Sequence, residues 1–544
     1  MTAGMDKARG GSAAHAERRW LLRAAAAAAL ITCLPYLVGF ASQGSEWVFS
    51  GSVLAVEEGN NYLAVMRRGF TGDWLFKAPY SAFPQNGLFV YFPFLLLGKL
   101  TTTTGQFGQM LVLFHGFRLL SVAALFIASY CLMAIFIEDI VLRRWGAVLL
   151  VFGGGLGWLL IALGQESWLG SSPLDFYSPE TFGFLAALSL PHLAAARALM
   201  YTSLALLLRR VENPRREGLL IGMVWLGMFL FQAITLGVTG LVAGAYVLAN
   251  GLRLAAGGRQ GKPADWARWR GEVKRLLWAG GIVVLPMAYL ALSISRDPYG
   301  QAWSAQNLIT SPHPAHYLAA YGLLLPAAWI GLRHLLQEYP WRGWLLGSWA
   351  VLLPVLLYVP VNIQRRFADG FWLAMIIMAL KGLERTRLGK RPSVRLGIFI
   401  PALLTSLMLL TATTAGSSRP AEPQFFPAQE AEFYLQAQEL VMDGDVILAA
   451  HDTSNLAPVW LPVFVLIGHG PESIGLAEIS PRVANFFQTS ASDAGRLALL
   501  DEFGVDYVLW GPREKALGGW NPGESSFLDL AVEVRNYHLY RVNK

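Results

Sequence analysis

The chain has 544 residues, of which 54% are hydrophobic and only 15% charged, and its mean hydropathy is +0.43. A soluble protein of this length would show amphipathic periods, whereas here the apolar residues form long uncharged runs, the pattern of transmembrane helices. The net charge of +7 does not point to nucleic acid as a partner, because most Lys and Arg fall in short loops between apolar runs, as the positive-inside rule expects.

In chain order, Arg18, Arg19 and Arg23 precede an alanine-rich run that continues to Ala41. That is too long for a signal-peptide core, so the reading is a retained first helix with residues 1–19 in the cytoplasm. Candidate spans lie at roughly 20–41, 108–137, 145–163, 189–208, 217–232, 234–250, 275–295, 316–335, 343–360, 369–383 and 395–414, about eleven in all. Alternation then puts the richest basic loops inside: Arg143 and Arg144, Arg209 through Arg216, Arg253 through Arg275, Arg333 and Arg342, and Lys381 through Arg395. The run from Gly218 to Asn250 is too long for one crossing. It is either two short crossings that meet near Phe231-Gln232 or a re-entrant hairpin. Cys33 and Cys131 fall inside apolar runs and read as small buried hydrophobes, not as a disulfide or metal pair.

Two regions lie outside the membrane on this reading. Residues 42–107 form a first outer loop, in which Leu88 to Leu97 is apolar but too short for a confident span. Residues 20–415 are the membrane domain and carry this loop, while 416–544 form an extracytoplasmic tail behind a Pro-rich linker (Pro420, Pro423, Pro427). In the tail, a helical stretch over 428–441 leads into β-rich runs at 445–450 and 463–467. Two helical stretches follow, and then a strand at 505–510. Alternating strands and helices predict a small α/β domain with a parallel sheet. The fold class is therefore mainly α, polytopic in the membrane, with a small C-terminal α/β domain.

Charges at membrane depth need an account. Glu57 and Glu58 are adjacent carboxylates just after the first span, and they repel each other unless they have a task. His115 and Arg118 are three apart on one helix and share a face. His192 follows Pro191 at the outer start of a span. Arg365 and Arg366 break the positive-inside rule on the outer side, and paired guanidiniums offer planar forks suited to phosphate. A carboxylate can take the proton of an acceptor hydroxyl, and arginines can neutralise a departing phosphate. A polyprenyl-linked sugar is the substrate that brings phosphate and sugar together on the outer face of a bilayer.

Several short stretches resemble bacterial members of the GT-C superfamily of membrane glycosyltransferases. They are Glu57-Glu58-Gly59-Asn60-Asn61-Tyr62 with Gly72-Asp73-Trp74-Leu75, His115-Gly116-Phe117-Arg118, Pro191-His192-Leu193 and Gln364-Arg365-Arg366-Phe367. In the tail they are Gly468-His469-Gly470-Pro471-Glu472-Ser473 and Gly504 through Pro512. The resemblance implies a hexosyl- or pentosyltransferase of the bacterial cytoplasmic membrane, with the N-terminus inside and the C-terminal domain outside. It would pass a sugar from a polyprenyl-phosphate donor to a glycan, lipid or protein hydroxyl, inverting the anomeric centre. The superfamily's loop acid maps onto Glu58, the catalytic base, with Glu57 in reserve. Arg365 and Arg366 would bind the donor phosphate; Asn60, Tyr62, His115, Arg118 and His192 would line the site. Many relatives carry a second acid further along this loop, where Phe83-Pro84-Gln85-Asn86 stands here. The sequence does not require a divalent metal; were one bound, Glu57 and Glu58 are the residues to hold it. The rival readings are a transporter or lipid flippase, and a non-catalytic assembly protein that kept the fold.

Overall fold

Proline and glycine punctuate a mainly helical chain. Pro191, Pro214 and Pro340 each open a helix at its first turn, where the missing N–H costs nothing. The structure, a computed structural model, describes residues 2–256 and 263–543. Met1, Lys544 and the 257–262 part of the expected inner loop lie outside the described residues. Among those described, five helices are long and apolar enough to cross a membrane: His15–Ser42, Gln106–Met133, Ala233–Ala256, Asp265–Arg296 and Pro392–Ser417. A sixth results if Ala315–Tyr321 and Leu325–Glu338, bent by 77°, count as one span. Large apolar side chains stay exposed on these helices, among them Val112, Leu120, Leu277 and Leu285, as lipid-facing surfaces require.

The other expected spans appear as shorter helices: Ile140–Phe152, Pro191–Leu207, Pro214–Phe231, Pro340–Leu356 and Phe371–Arg385. Phe371–Arg385 is buried all round from Phe371 to Leu383, so its apolarity reflects helix neighbours as well as membrane. Gly331 and Gly382 permit this packing, since a Cβ on Gly331 would stand 1.8 Å from the Met378 carbonyl oxygen. The long Gly218–Asn250 run breaks at Gln232, in extended backbone. The run over 145–163 breaks at Gly153-Gly154-Gly155, where the Asp175 carboxylate accepts from the Gly155 N–H at 2.6 Å and from Thr405 at 3.1 Å. Both cysteines are free; Cys33 is half-buried, and Cys131 is exposed on an apolar helix instead of buried.

The chain divides into two compact units. The first comprises 1–34, 116–287 and 309–412, and the second 35–115, 288–308 and 413–544. The first is helical. The second holds the strands. A two-stranded antiparallel ribbon pairs β1 (Trp47–Phe49) with β2 (Phe425–Pro427). A five-stranded sheet is built from β3 (Val446–Leu448), β4 (Phe464–Val465), β5 (Tyr507–Trp510), β6 (Leu528–Val534) and β7 (Tyr537–Val542), in the order β4-β3-β5-β7-β6. β3, β4 and β5 are parallel as expected, but β6 and β7 are antiparallel, so the sheet is mixed and not wholly parallel. Only Arg535 and Asn536 separate β6 from β7. That is a hairpin loop, far too short for the crossover a parallel pair needs. Helices Leu476–Phe486 and Asp493–Phe503 contribute Ile479, Val483, Phe486, Leu499 and Leu500 to a core shared with Leu448 and Val508 of the sheet.

Candidate functional site

Within the second unit, the helix Val56–Phe70 starts abruptly after Ala55, whose φ is 48°. Glu57 and Glu58 occupy its first turn, where the helix dipole favours negative charge. Their environments differ. Glu57 Oε1 accepts the Gly470 N–H at 2.5 Å, and its main-chain oxygen faces Asn455 Nδ2 at 3.4 Å. Glu57 is thereby tied to the turn at 468–473. The Glu58 side chain is 37% exposed, and its carboxylate lies 3.7 Å from Nε2 of His469, which is 1% exposed.

The ring of His469 is fixed from several sides. Its Nδ1 pairs with Glu472, and Tyr80 stacks on it at 5.5 Å. Tyr91 donates its hydroxyl to Glu472 at 2.7 Å, and Tyr80 donates to the Asn455 carbonyl at 3.0 Å. Burial, reinforced by the nearby carboxylates, pushes both phenols well above the usual tyrosine range, so they remain donors. For His469 burial opposes the charge, but Glu472, Glu58 and Glu57 outweigh it and draw the imidazole up to about 9. The turn itself needs glycine: Gly468 has φ +145°, and a Cβ there would stand 2.8 Å from the Ser454 carbonyl carbon.

Asn60 reaches the same hub, donating to Asn455 Oδ1 at 2.7 Å, while Asn455 donates to the Gly468 carbonyl at 2.7 Å. Tyr62 is buried one turn below Glu58 and stacks on Phe94 at 4.4 Å. His115 lies edge-on to Tyr36 at 4.6 Å, in an aromatic setting. In the 83–86 stretch, Gln85 closes the loop on itself by accepting from the Ala78 N–H at 2.7 Å and donating to the Ala78 and Ser81 carbonyls. Among the described residues no three His, Cys, Asp or Glu side chains converge as a metal-ligand set.

The basic residues belong to the first unit. Arg365 and Arg366 lie on a 3-10 turn, Gln364–Ala368. Gln364 anchors it by donating to the Val359 carbonyl at 2.8 Å and accepting from the Ser311 N–H at 3.1 Å. The Arg365 guanidinium lies over the Tyr177 ring at 4.7 Å, with Glu180 3.7 Å from its Nε. Nε of both Arg365 and Arg366 is buried without a hydrogen-bond partner among the described residues. The charges of Arg366 and Arg197 both act on His192, in the first turn of Pro191–Leu207. Asp369 is committed elsewhere, to Arg197 and Thr235, each at 2.5 Å. Arg118 is buried and donates to Thr32 Oγ1 at 2.7 Å and to the Thr32 and Ala187 carbonyls, an interior clamp between helices.

The structure thus gathers Glu57, Glu58 and Asn60 in one cluster, and Arg365, Arg366 and His192 in another. Sequence reasoning assigned no role to His469, Glu472, Tyr80, Tyr91 or Asn455, nor to Tyr177 and Glu180. One signal was present for the first two: a His and a Glu three apart in a Gly- and Pro-rich turn, Gly468 to Ser473.

The helical first unit and the strand-bearing second unit, with an acidic pair opening the Val56–Phe70 helix, match the GT-C-like fold expected from the sequence. Solved structures agree. The oligosaccharyltransferase of Archaeoglobus fulgidus in its apo form is similar with a TM-score of 0.54 and 12% identity, over 90% of this chain and 69% of that one. The arabinofuranosyltransferase AftD from Mycobacteria is similar with a TM-score of 0.55 and 17% identity, over 97% of this chain and 40% of that one. The archaeal oligosaccharyltransferase AglB from Archaeoglobus fulgidus, in complex with an inhibitory peptide and a dolichol-phosphate, gives a TM-score of 0.51 and 12% identity, over 97% and 74%. At such identities the likeness speaks for the fold, which is that of GT-C glycosyltransferases. No protein-family model and no curated protein matches the chain in sequence.

Proposed function

We propose that the protein is a membrane glycosyltransferase that moves a sugar from a polyprenyl-phosphate donor to a hydroxyl on a glycan, lipid or protein at the extracytoplasmic face. The observation that carries this reading is the half-exposed Glu58 carboxylate, set at a helix N-terminus and backed by the buried His469–Glu472 pair. The dolichol-phosphate in the archaeal complex supports a lipid-phosphate donor here.

In this reaction Glu58 takes the proton of the acceptor hydroxyl. The acceptor oxygen attacks the anomeric carbon, the bond from that carbon to the phosphate oxygen breaks, and polyprenyl phosphate departs. A single displacement inverts the anomeric centre. Arg365 and Arg366 hold the phosphate, and their guanidiniums meet the charge that grows on it. Glu57 anchors the turn at 468–473 and stands in reserve as base. Asn60 and Tyr62 position the helix and acceptor; His115, Arg118 and His192 line or brace the site. The topology that goes with this is about eleven crossings of a bacterial cytoplasmic membrane, with residues 1–19 inside and 416–544 outside.

Two measurements test the reading. The protein, purified into liposomes, is assayed for transfer from a panel of pentosyl and hexosyl polyprenyl phosphates; transfer from at least one is expected, and inactivity with all of them overturns the donor class. Single cysteines in a background lacking Cys33 and Cys131 are labelled from outside intact cells. A tail cysteine should react without permeabilisation and one in the Arg253–Arg275 loop only with it; the reverse overturns the topology.

A further inference from the structure

Two neighbouring carboxylates at the start of one helix repel each other, and the helix dipole offsets only part of that repulsion. A buried imidazole stands beside them. His469 is buried to 1% exposure, with Nδ1 on Glu472 and Nε2 facing Glu58 at 3.7 Å. We propose that the His469–Glu472 pair is a positioning device for the Glu58 base: Glu472 fixes the imidazole by Nδ1, and the Nε2–H directs the Glu58 carboxylate while balancing the acidic pair. The inference rests on the assignment of Glu58 as base in the proposed transfer reaction.

The arrangement is built to hold one geometry. Glu472, 3% exposed, receives the Tyr91 hydroxyl at 2.7 Å, and its main-chain oxygen accepts from Tyr299 at 3.4 Å. Gln306 donates to the carbonyls of Pro471 and Ser473 at 2.7 and 3.0 Å. The Ser473 hydroxyl accepts the His469 N–H at 3.0 Å. The buried carboxylate and imidazole so fixed face Glu58, whose side chain is 37% exposed. The same turn anchors Glu57 through the Gly470 N–H, which separates the roles of the two acids. Glu57 locates the turn, and Glu58 receives the imidazole's direction.

An imidazole that faces a carboxylate at each nitrogen is favoured in its cationic form. The groups that face it are Glu58 and Glu57 from the Val56–Phe70 helix, Glu472 from its own turn, Tyr80 from the outer loop and His451 from the His451–Trp460 helix. The three carboxylates outweigh burial and hold His469 protonated up to about pH 9.

The experiment uses the full chain in detergent or liposomes. His469→Gln removes the cation and Glu472→Gln loosens its anchor. Misdirection of the base should lower kcat by about 10- to 100-fold, with donor KM little changed. Wild type should lose activity as pH rises through about 9, and His469→Gln should lack that alkaline limb. In parallel, histidine-selective 15N NMR follows the His469 ring, assigned by its absence from His469→Gln. Its titration should lie near 9 in wild type and fall in Glu472→Gln. This readout does not depend on transfer, so an inactive wild type with a normal His469 titration counts against the transferase reading and not against the dyad.

A wild-type kcat in His469→Gln with the alkaline limb retained overturns the proposal. So does a His469 titration that Glu472→Gln leaves in place. A chelator-sensitive activity restored by Mn2+, with Mn2+ binding lost in His469→Gln, would make His469 a metal ligand and likewise overturn it. Should His469→Gln fail to fold, Tyr91→Phe decides on the same two readouts, because it keeps every charge and releases only Glu472; a kcat lowered a few-fold together with a lowered His469 titration supports the dyad, and no change in either sinks it.

Discussion

Around Glu58 the supporting groups come from its own segment, through Asn60, Tyr80 and Tyr91, and from two distant stretches of chain, the His451–Trp460 helix and the 468–473 turn, and they hold one another by hydrogen bonds. Around Arg365 and Arg366 the support is thinner: a short 3-10 turn pinned by Gln364 to Val359 and Ser311 and, from a distant stretch of chain, a Tyr177 face and Glu180 at a loose 3.7 Å. The first cluster fixes direction. The second leaves both arginine Nε atoms without a hydrogen-bond partner among the described residues. A general base needs a set line of approach to one proton, whereas a phosphate cradle needs donors that the protein itself has not satisfied. The contrast therefore fits two chemical tasks and offers handles for separating them.

The largest expected effect is on the base. Glu58→Gln keeps the shape and removes the basicity, and turnover should fall by about 10²–10⁴-fold with donor affinity nearly unchanged. Glu57→Gln keeps an oxygen for the Gly470 N–H and should stay within about tenfold of wild type. If the two variants exchange these outcomes in the transfer assay, the roles of the two acids are reversed.

The second effect bears on the cradle. Lys keeps the charge of Arg365 or Arg366 but loses the planar fork, so each Arg→Lys variant should cost about 1.5–3 kcal/mol, or roughly ten- to a hundred-fold, in donor binding. Arg419→Ala serves as a surface control. Donor titration of the three variants decides; if all behave alike, the arginines are headgroup anchors and the comparison loses one of its sides.

A smaller effect tests how rigid the acidic cluster is. Gly468→Ala forces a side chain into a glycine-only conformation and onto the Ser454 backbone, at a cost of about 1–3 kcal/mol. Thermal unfolding in detergent should show the loss. An unshifted midpoint would mean that the 468–473 turn is not the firm support described above.

The smallest effect is on stability against pH. His469 stands at about 9 in the fold against an ordinary 6.5, so its stabilising contribution is fully present below about pH 6.5 and is lost as pH rises through about 9. The unfolding midpoint should fall across that window in wild type and more shallowly in Glu472→Gln. An equal slope in both would detach the imidazole from its carboxylate.

Much of this was legible in the linear chain. Uncharged runs mark the helices, because burying an unpaired backbone in lipid or protein forces helix formation, and the break at Gln232 falls where the sequence placed it, whereas the break at Gly153–Gly155 cuts a run, 145–163, that reads as one span. The adjacent carboxylates and the arginine pair stood out because charge is scarce around them. The strands at 446–448, 464–465 and 507–510 were readable from short β-rich runs, while the terminal hairpin that makes the sheet mixed was not singled out. Tertiary structure alone decided what surrounds each charge. Glu57 and Gly470 are 413 residues apart, and no local period encodes such a meeting. The same holds for the difference between Glu57 and Glu58, identical residues one position apart: a helix turns them by about 100°, and the packed chain gives one a backbone amide and the other an imidazole. Sequence determines which segments become helix or strand, because periodicity is a local property. What surrounds each carboxylate depends on contacts closed across the whole chain, and these exist only once it is folded.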